Sequence, residues 1–158
     1  MGVTESGTLH HTSFVVHDLE KTASALAASL GIGPWSVWTI APEACLVRGR
    51  SVPFTLRIAL AQVGTSHYEL IEPLTGESVS VEHLRAKGEG FHHTCIAYDS
   101  LAAMRNAKAE LSRQGREIVQ SGSLGELGEF CYVDLPETGA VLELLYVAGF
   151  PPPEKTIG

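Results

Sequence analysis

His10-His11-Thr12-Ser13-Phe14-Val15-Val16 returns 82 residues later as His92-His93-Thr94-Cys95-Ile96-Ala97-Tyr98. Each copy reads as a strand, and each is followed much later by an apolar strand carrying one glutamate: Tyr68-Glu69-Leu70-Ile71 in the first half, Leu142-Glu143-Leu144-Leu145 in the second. One histidine and one glutamate per half make a set of two imidazoles and two carboxylates, the donor types that a divalent metal takes. The duplication therefore bears on the fold and on the chemistry together.

The signals between these stretches repeat in the same order. Asp18 is placed to cap a helix with Leu19, Ala23, Leu26 and Leu30 on one face, and Gly31 is placed to end it. Strands follow over Pro34–Ile40, Phe54–Val63 and Ser66–Glu72. After a connector with a short helix near Ser80–Ala86, the second half predicts a strand to Tyr98 and a helix from about Ser100. Leu101, Met104, Ala107 and Leu111 face inward on that helix, and Gly115 stops it. Strands near Glu117–Gln120, Glu129–Asp134 and Ala140–Val147 complete the copy. The reading is an α+β fold in one domain: a βαβββ module over residues 9–73, a connector over 74–90, and a second βαβββ module over 91–147. The tail at 148–158 opens on Pro151-Pro152-Pro153, which cannot continue a strand.

Alternation along a strand selects between the two histidines of each pair. His11, Ser13 and Val15 share one face, while Thr12, Phe14 and Val16 share the other, which is bulky enough for the helix to cover. In the second copy Ile96 and Tyr98 supply the bulk, leaving His93, Cys95 and Ala97 opposite. His11 and His93 are thus the inward pair. Glu69 and Glu143 each sit on an otherwise apolar strand, where an isolated carboxylate is too costly unless paired, protonated or metal-bound. A single strand histidine is more often a hydrogen-bonded core residue, but four candidates at equivalent points of a duplicated module favour one divalent metal. By donor set alone Co, Mn, Ni, Zn, Fe and Mg are all compatible.

Bulk composition narrows the partners. The 158 residues are 44% hydrophobic and 18% charged, as in a globular protein. A net charge of −7 with scattered lysines and arginines argues against nucleic acid. No long uncharged apolar run suggests a membrane segment, and Met1–Leu9 is polar, so a cytoplasmic location is expected. Cys45, Cys95 and Cys131 form no CxxC pair and read as buried small hydrophobes in a reducing compartment.

His11 with Asp18, the run Glu69-Leu70-Ile71-Glu72-Pro73-Leu74, Gly88-Glu89-Gly90-Phe91-His92-His93 and Gly139-Ala140-Val141-Leu142-Glu143-Leu144 together resemble the vicinal oxygen chelate superfamily. That superfamily includes glyoxalases, extradiol dioxygenases, methylmalonyl-CoA epimerases and drug-resistance proteins. The Gly-x-Gly-x-His-His and Glu-Leu-x-x-Pro-Leu runs are most similar to the epimerases. The resemblance covers roughly Leu9–Tyr146 and implies that the two modules pair into a curved mixed sheet enclosing a metal cleft, that His11, Glu69, His93 and Glu143 ligate the metal there, and that the protein is a homodimer. It also implies a small-molecule carbonyl or acyl-thioester substrate that loses a proton next to the carbonyl, as in an isomerase or lyase. Some epimerases carry a further glutamate on the third strand of the first module, but here Phe54–Val63 holds Arg57 as its only charge.

That departure leaves the proton-transfer group open among Glu143, Glu69 and His67, the last two residues before Glu69 and on its face. Arg57 is a candidate for a substrate anion, and Trp35, Trp38 and Tyr132 are candidates for an apolar pocket wall. Gly122, Gly125 and Gly128 punctuate a loop able to act as a lid, and Asp18 and Asp99 read as helix caps. Two other functions fit the same fold. An Fe(II) extradiol-type dioxygenase needs only two histidines and one carboxylate. A non-catalytic binding or resistance protein has no use for two buried glutamates.

Overall fold

The structure, a computed structural model, describes residues 2, 3 and 6–158, so part of the polar start at Met1–Leu9 lies outside the described residues. The first module runs through β1 (Gly7–Val15), α1 (Leu19–Leu30), β2 (Trp35–Ile40), β3 (Glu43–Val47), β4 (Arg50–Ser51), β5 (Thr55–Val63) and β6 (Ser66–Thr75). The connector carries α2 (Val79–Lys87). Then come β7 (Gly90–Tyr98), α3 (Leu101–Arg113), β8 (Ile118–Ser123), a 3₁₀ turn (Gly125–Leu127), β9 (Gly128–Leu135), β10 (Ala140–Val147) and β11 (Lys155–Ile157).

All eleven strands join one mixed sheet in the order β11-β2-β5-β6-β1-β7-β10-β9-β8-β3-β4. The halves match: β1 pairs with β6 in parallel as β7 pairs with β10, and β1 and β7 meet antiparallel at the centre. Residues that alternation assigns to the bulky face do pack under the helices. Val16, Leu70, Ala59 and Trp35 lie against Leu19 and Ala23 of α1, and Tyr98, Cys131 and Leu144 lie with Met104 and Leu111 of α3. The opposite face has its own apolar cluster of Val15, Leu56, Ile58, Ile71, Cys95, Phe130, Tyr132 and Leu145. The four candidate ligands open on this second face.

Capping explains where the helices start. Asp18 accepts from the Lys21 amide at 2.9 Å and Gly31 closes α1 at φ 66°, a left-handed conformation that glycine adopts without penalty. For α3 the cap is Ser100, accepting from the Ala103 amide at 3.1 Å, rather than Asp99.

Two segments depart from the sequence reading, both at sheet edges. Residues 43–51 form a hairpin whose strand β3 crosses to extend the second module along β8. Its turn has Arg48 at φ 47° and Gly49 at φ 75°, the double left-handed geometry that Asn-Gly usually signals and Arg-Gly does not. The tail, too, joins the sheet. After the prolines, Lys155–Ile157 adds β11 to the open edge of β2, with Glu154 accepting from the Thr39 amide and Trp38 Nε1 donating to the Pro151 carbonyl. The prolines precede the strand instead of interrupting it, and an unpaired edge is a template for any strand that reaches it.

Candidate metal centre

Strand register brings the four residues together. Ser13 on β1 stands opposite Glu69 on β6 and His93 on β7, and β7 carries Cys95 opposite Glu143 on β10. His11, Glu69, His93 and Glu143 are 2%, 5%, 0% and 6% exposed. His11 Nε2 lies 3.2 Å from His93 Nε2, 3.0 Å from Glu143 Oε2 and 3.3 Å from Glu69 Oε2. His93 Nε2 lies 3.2 Å from Glu143 Oε2 and 3.6 Å from Glu69 Oε2. Donor atoms of His11, His93 and Glu143 thus lie within 4.8 Å of one another, and Glu69 Oε2 flanks the two imidazoles.

The buried charges in this cluster are of a kind that a cation would offset. Glu69 Oε2 is buried with no hydrogen-bond partner, as is the Ser13 hydroxyl beside it in the register. Burial opposes the charged form of His11, but attraction to Glu69 and contacts with Cys95 and Glu143 hold its pKa well above the ordinary histidine value. Burial likewise opposes ionisation of Glu143, yet hydrogen bonds from His11 and His93 pull it below the usual carboxylate range, and Glu69 is lowered chiefly by His11 against the same burial. A proton on His11 offsets the carboxylates in the metal-free protein. A divalent cation would do so more fully, and two imidazole nitrogens with two carboxylate oxygens are a donor set that fits it.

Apolar walls surround the donors. His11, Glu69 and Glu143 open into a cavity of about 50 Å³ lined by Leu56, Ile58, Phe130, Tyr132 and, from the loop and tail, Leu124 and Phe150. Tyr132 packs its ring 4.9 Å from that of His93, and burial first, then Glu143, raises its pKa well above the ordinary phenol value, leaving a neutral hydroxyl. A larger cavity of about 720 Å³ lies by α2 and the turn into β10, but its cations are engaged. Arg48 binds Glu82, Arg116 binds Glu137, and Lys87 donates to the Gly139 carbonyl.

Three other candidates lie elsewhere. Trp35 is fully buried under α1, on the far face of the sheet from the cavity. Arg57 faces the same way and binds Glu20 of α1 at 2.6 Å, so it is a structural ion pair with no free head for a substrate anion. Both follow from the pleat: the cavity takes the even positions Leu56 and Ile58 of β5, and Trp38 and Ile40 rather than Trp35 share the cleft side of β2. His67 stacks its ring 4.9 Å from His10 with its Nδ1 3.3 Å from the His10 carbonyl, and it is not among the residues lining the cavity. Phe150 and Leu124 gave no signal in the sequence, because both sit in irregular segments whose direction only the packed sheet fixes.

Residues 10–132 match the family described as the glyoxalase/bleomycin resistance protein/dioxygenase superfamily. The chain belongs to this superfamily. Solved structures share its fold. A variant methylmalonyl-CoA epimerase from Streptomyces coelicolor in complex with 2-nitronate-propionyl-CoA is 20% identical. It covers 92% of this chain and 100% of its own, with a TM-score of 0.67. The methylmalonyl-CoA epimerase from Mycobacterium tuberculosis is 21% identical over 94% of this chain and 92% of its own, at 0.62. A hypothetical protein from Bacillus halodurans C-125 is 20% identical over 93% and 99%, at 0.64. No curated protein matches the chain in sequence. Among the described residues no helix is long and apolar enough to cross a membrane.

Proposed function

We propose that the protein is a divalent-metal-dependent isomerase or lyase that moves a proton on the carbon next to a carbonyl, with an acyl-thioester or 2-oxo acid as substrate class. The observation that carries this reading is the buried cluster of His11, Glu69, His93 and Glu143, in which Glu69 Oε2 lies beside both imidazoles yet forms no hydrogen bond. These four would hold the metal, which when bound supplies Lewis acidity to the substrate carbonyl.

The remaining work falls to the chain. On β5 the cavity meets Leu56 and Ile58, so that strand offers no acid, and Glu69 and Glu143 are the carboxylates lining the cavity. Glu143 is the proton acceptor in this reading: its carboxylate lines the cavity, where an oxygen can take a proton and return it. Leu56, Ile58, Phe130, Leu124 and Phe150 exclude water from the reacting carbon. The cavity admits the acyl head of a substrate; a carrier moiety has to lie outside it. The similarity to epimerases supports the fold of such a site, and two buried glutamates favour it over a dioxygenase with one.

The test is direct. Protein purified without added metal is analysed for metal, then incubated in deuterium oxide with methyl-branched acyl-thioesters and small 2-oxo acids. Metal-dependent deuterium uptake at the carbon next to the carbonyl is expected. Oxygen uptake with a catechol and Fe(II), without deuterium uptake, refutes the reading in favour of the dioxygenase.

A further inference from the structure

The other histidine of each pair has no role in the reading so far, and the structure gives both members the same contact. His10 Nδ1 lies 2.8 Å from His11 Nδ1, and His92 Nδ1 lies 2.8 Å from His93 Nδ1. Simple alternation forbids this, since neighbours on a strand point to opposite faces. The β1–β7 register explains it: Leu9 stands opposite Ile96 and His11 opposite Cys95, so His10 has no opposite residue. Ser13 stands opposite His93 and Phe14 opposite Phe91, so His92 has none either. Each is the extra residue of a β-bulge, which re-aims a side chain that regular pleating would send away. Each half has one such bulge, one residue before its candidate ligand.

Two ring nitrogens 2.8 Å apart share one proton, donated by one and accepted by the other. The Nε2 atoms of His11 and His93 face the carboxylates and each other, so metal ligation there requires a free lone pair on Nε2 and places the proton of each ring on Nδ1. His11 and His93 then donate to the Nδ1 atoms of His10 and His92, which carry their own protons on Nε2. Packing holds the accepting rings: His92, itself buried, sits edge-on to His83 and Tyr132, and His10 stacks against His67 and Phe150. We propose that His10 and His92 are positioning residues that fix the tautomer and ring orientation of His11 and His93 for metal binding. This inference rests on the metal-centre reading above.

Leucine at either position removes the acceptor, whereas asparagine keeps an oxygen near the place of Nδ1. His10→Leu, His92→Leu, His10→Asn and His92→Asn are titrated with Co(II) and followed by its visible absorption, with the unfolding midpoint of each chelator-treated protein recorded alongside. The leucine variants are expected to bind Co(II) about 10- to 100-fold more weakly, the range seen when such supporting partners are lost. They should show a changed absorption band, and the asparagine variants should recover most of the affinity. Long-range proton–nitrogen correlation spectra of zinc-loaded wild type, labelled at histidine, give an independent readout that needs no variant. Protons on Nε2 of His10 and His92 and on Nδ1 of His11 and His93 are expected. Co(II) binding at wild-type strength in both leucine variants, or a proton on His92 Nδ1, overturns the positioning role and leaves the metal centre standing. A wild type that takes up no Co(II) overturns both.

Discussion

Glu69→Gln should act in opposite directions on the metal-free and metal-loaded protein. Without metal, the buried carboxylate gains attraction to a protonated His11 at 3.3 Å, about 5 kcal/mol at an effective dielectric near 20. Against that stand a desolvation penalty of several kcal/mol for a buried ion and the repulsion of the nearby Glu143 charge. The near-isosteric amide loses all three together, and His11 keeps Glu143 at 3.0 Å as its partner. The metal-free variant should therefore unfold within about 1 kcal/mol of wild type, or be more stable, as is common when a buried ion is neutralised and its partner remains compensated. With metal at 100 times the dissociation constant, wild type gains about 2.7 kcal/mol. For a chain of this size that is about 5–11 °C in Tm. Losing an anionic ligand should weaken binding by at least about 100-fold. At the same metal concentration the gain falls to about 0.4 kcal/mol or less, under about 2 °C. Thermal melts of chelated and metal-loaded samples read both arms. A chelated variant destabilised by several kcal/mol, or one that keeps the full metal-dependent rise, refutes the reasoning.

Glu143→Gln should lower solvent deuterium exchange into a responsive substrate by about 10² to 10⁴, the usual contribution of a general base; exchange at the wild-type rate per metal bound shifts that role to another group. In the metal-free protein His11 has a raised pKa, so its contribution to stability is complete below its unfolded value near 6.5 and fades as pH rises through the folded value. Glu69 and Glu143 have lowered values, so theirs is complete above about 4.5 and fades as pH falls through the folded values. Chelated protein should be most stable between those limits and weaken on the alkaline side, a decline that metal removes; a denaturation profile flat above pH 6.5 contradicts this. Trp35→Ala should cost about 3–5 kcal/mol by opening a cavity under α1 while Co(II) affinity of the folded protein stays unchanged, and weakened Co(II) binding would place the ring at the site after all.

The chain by itself marked the order of the main helices and strands and singled out His11 and His93, both buried in the structure. These are properties of short periodicities: a strand histidine next to small residues and a helix face of Leu19 and Ala23 read the same before and after folding. It also marked Glu69 and Glu143, because a charge on an apolar strand is conspicuous without any coordinates. Tertiary structure decided what alternation leaves open. Period two says that Trp35 and Trp38 point opposite ways, as do Arg57 and Ile58, but only the sheet's curvature says which of each looks into the cleft. The β3–β4 hairpin and β11 found their places because the edges at β8 and β2 were open, a fact about the finished sheet and not about those residues. The contacts of His10 and His92 depend on two bulges, each a one-residue offset between strands about 80 positions apart that local sequence does not encode.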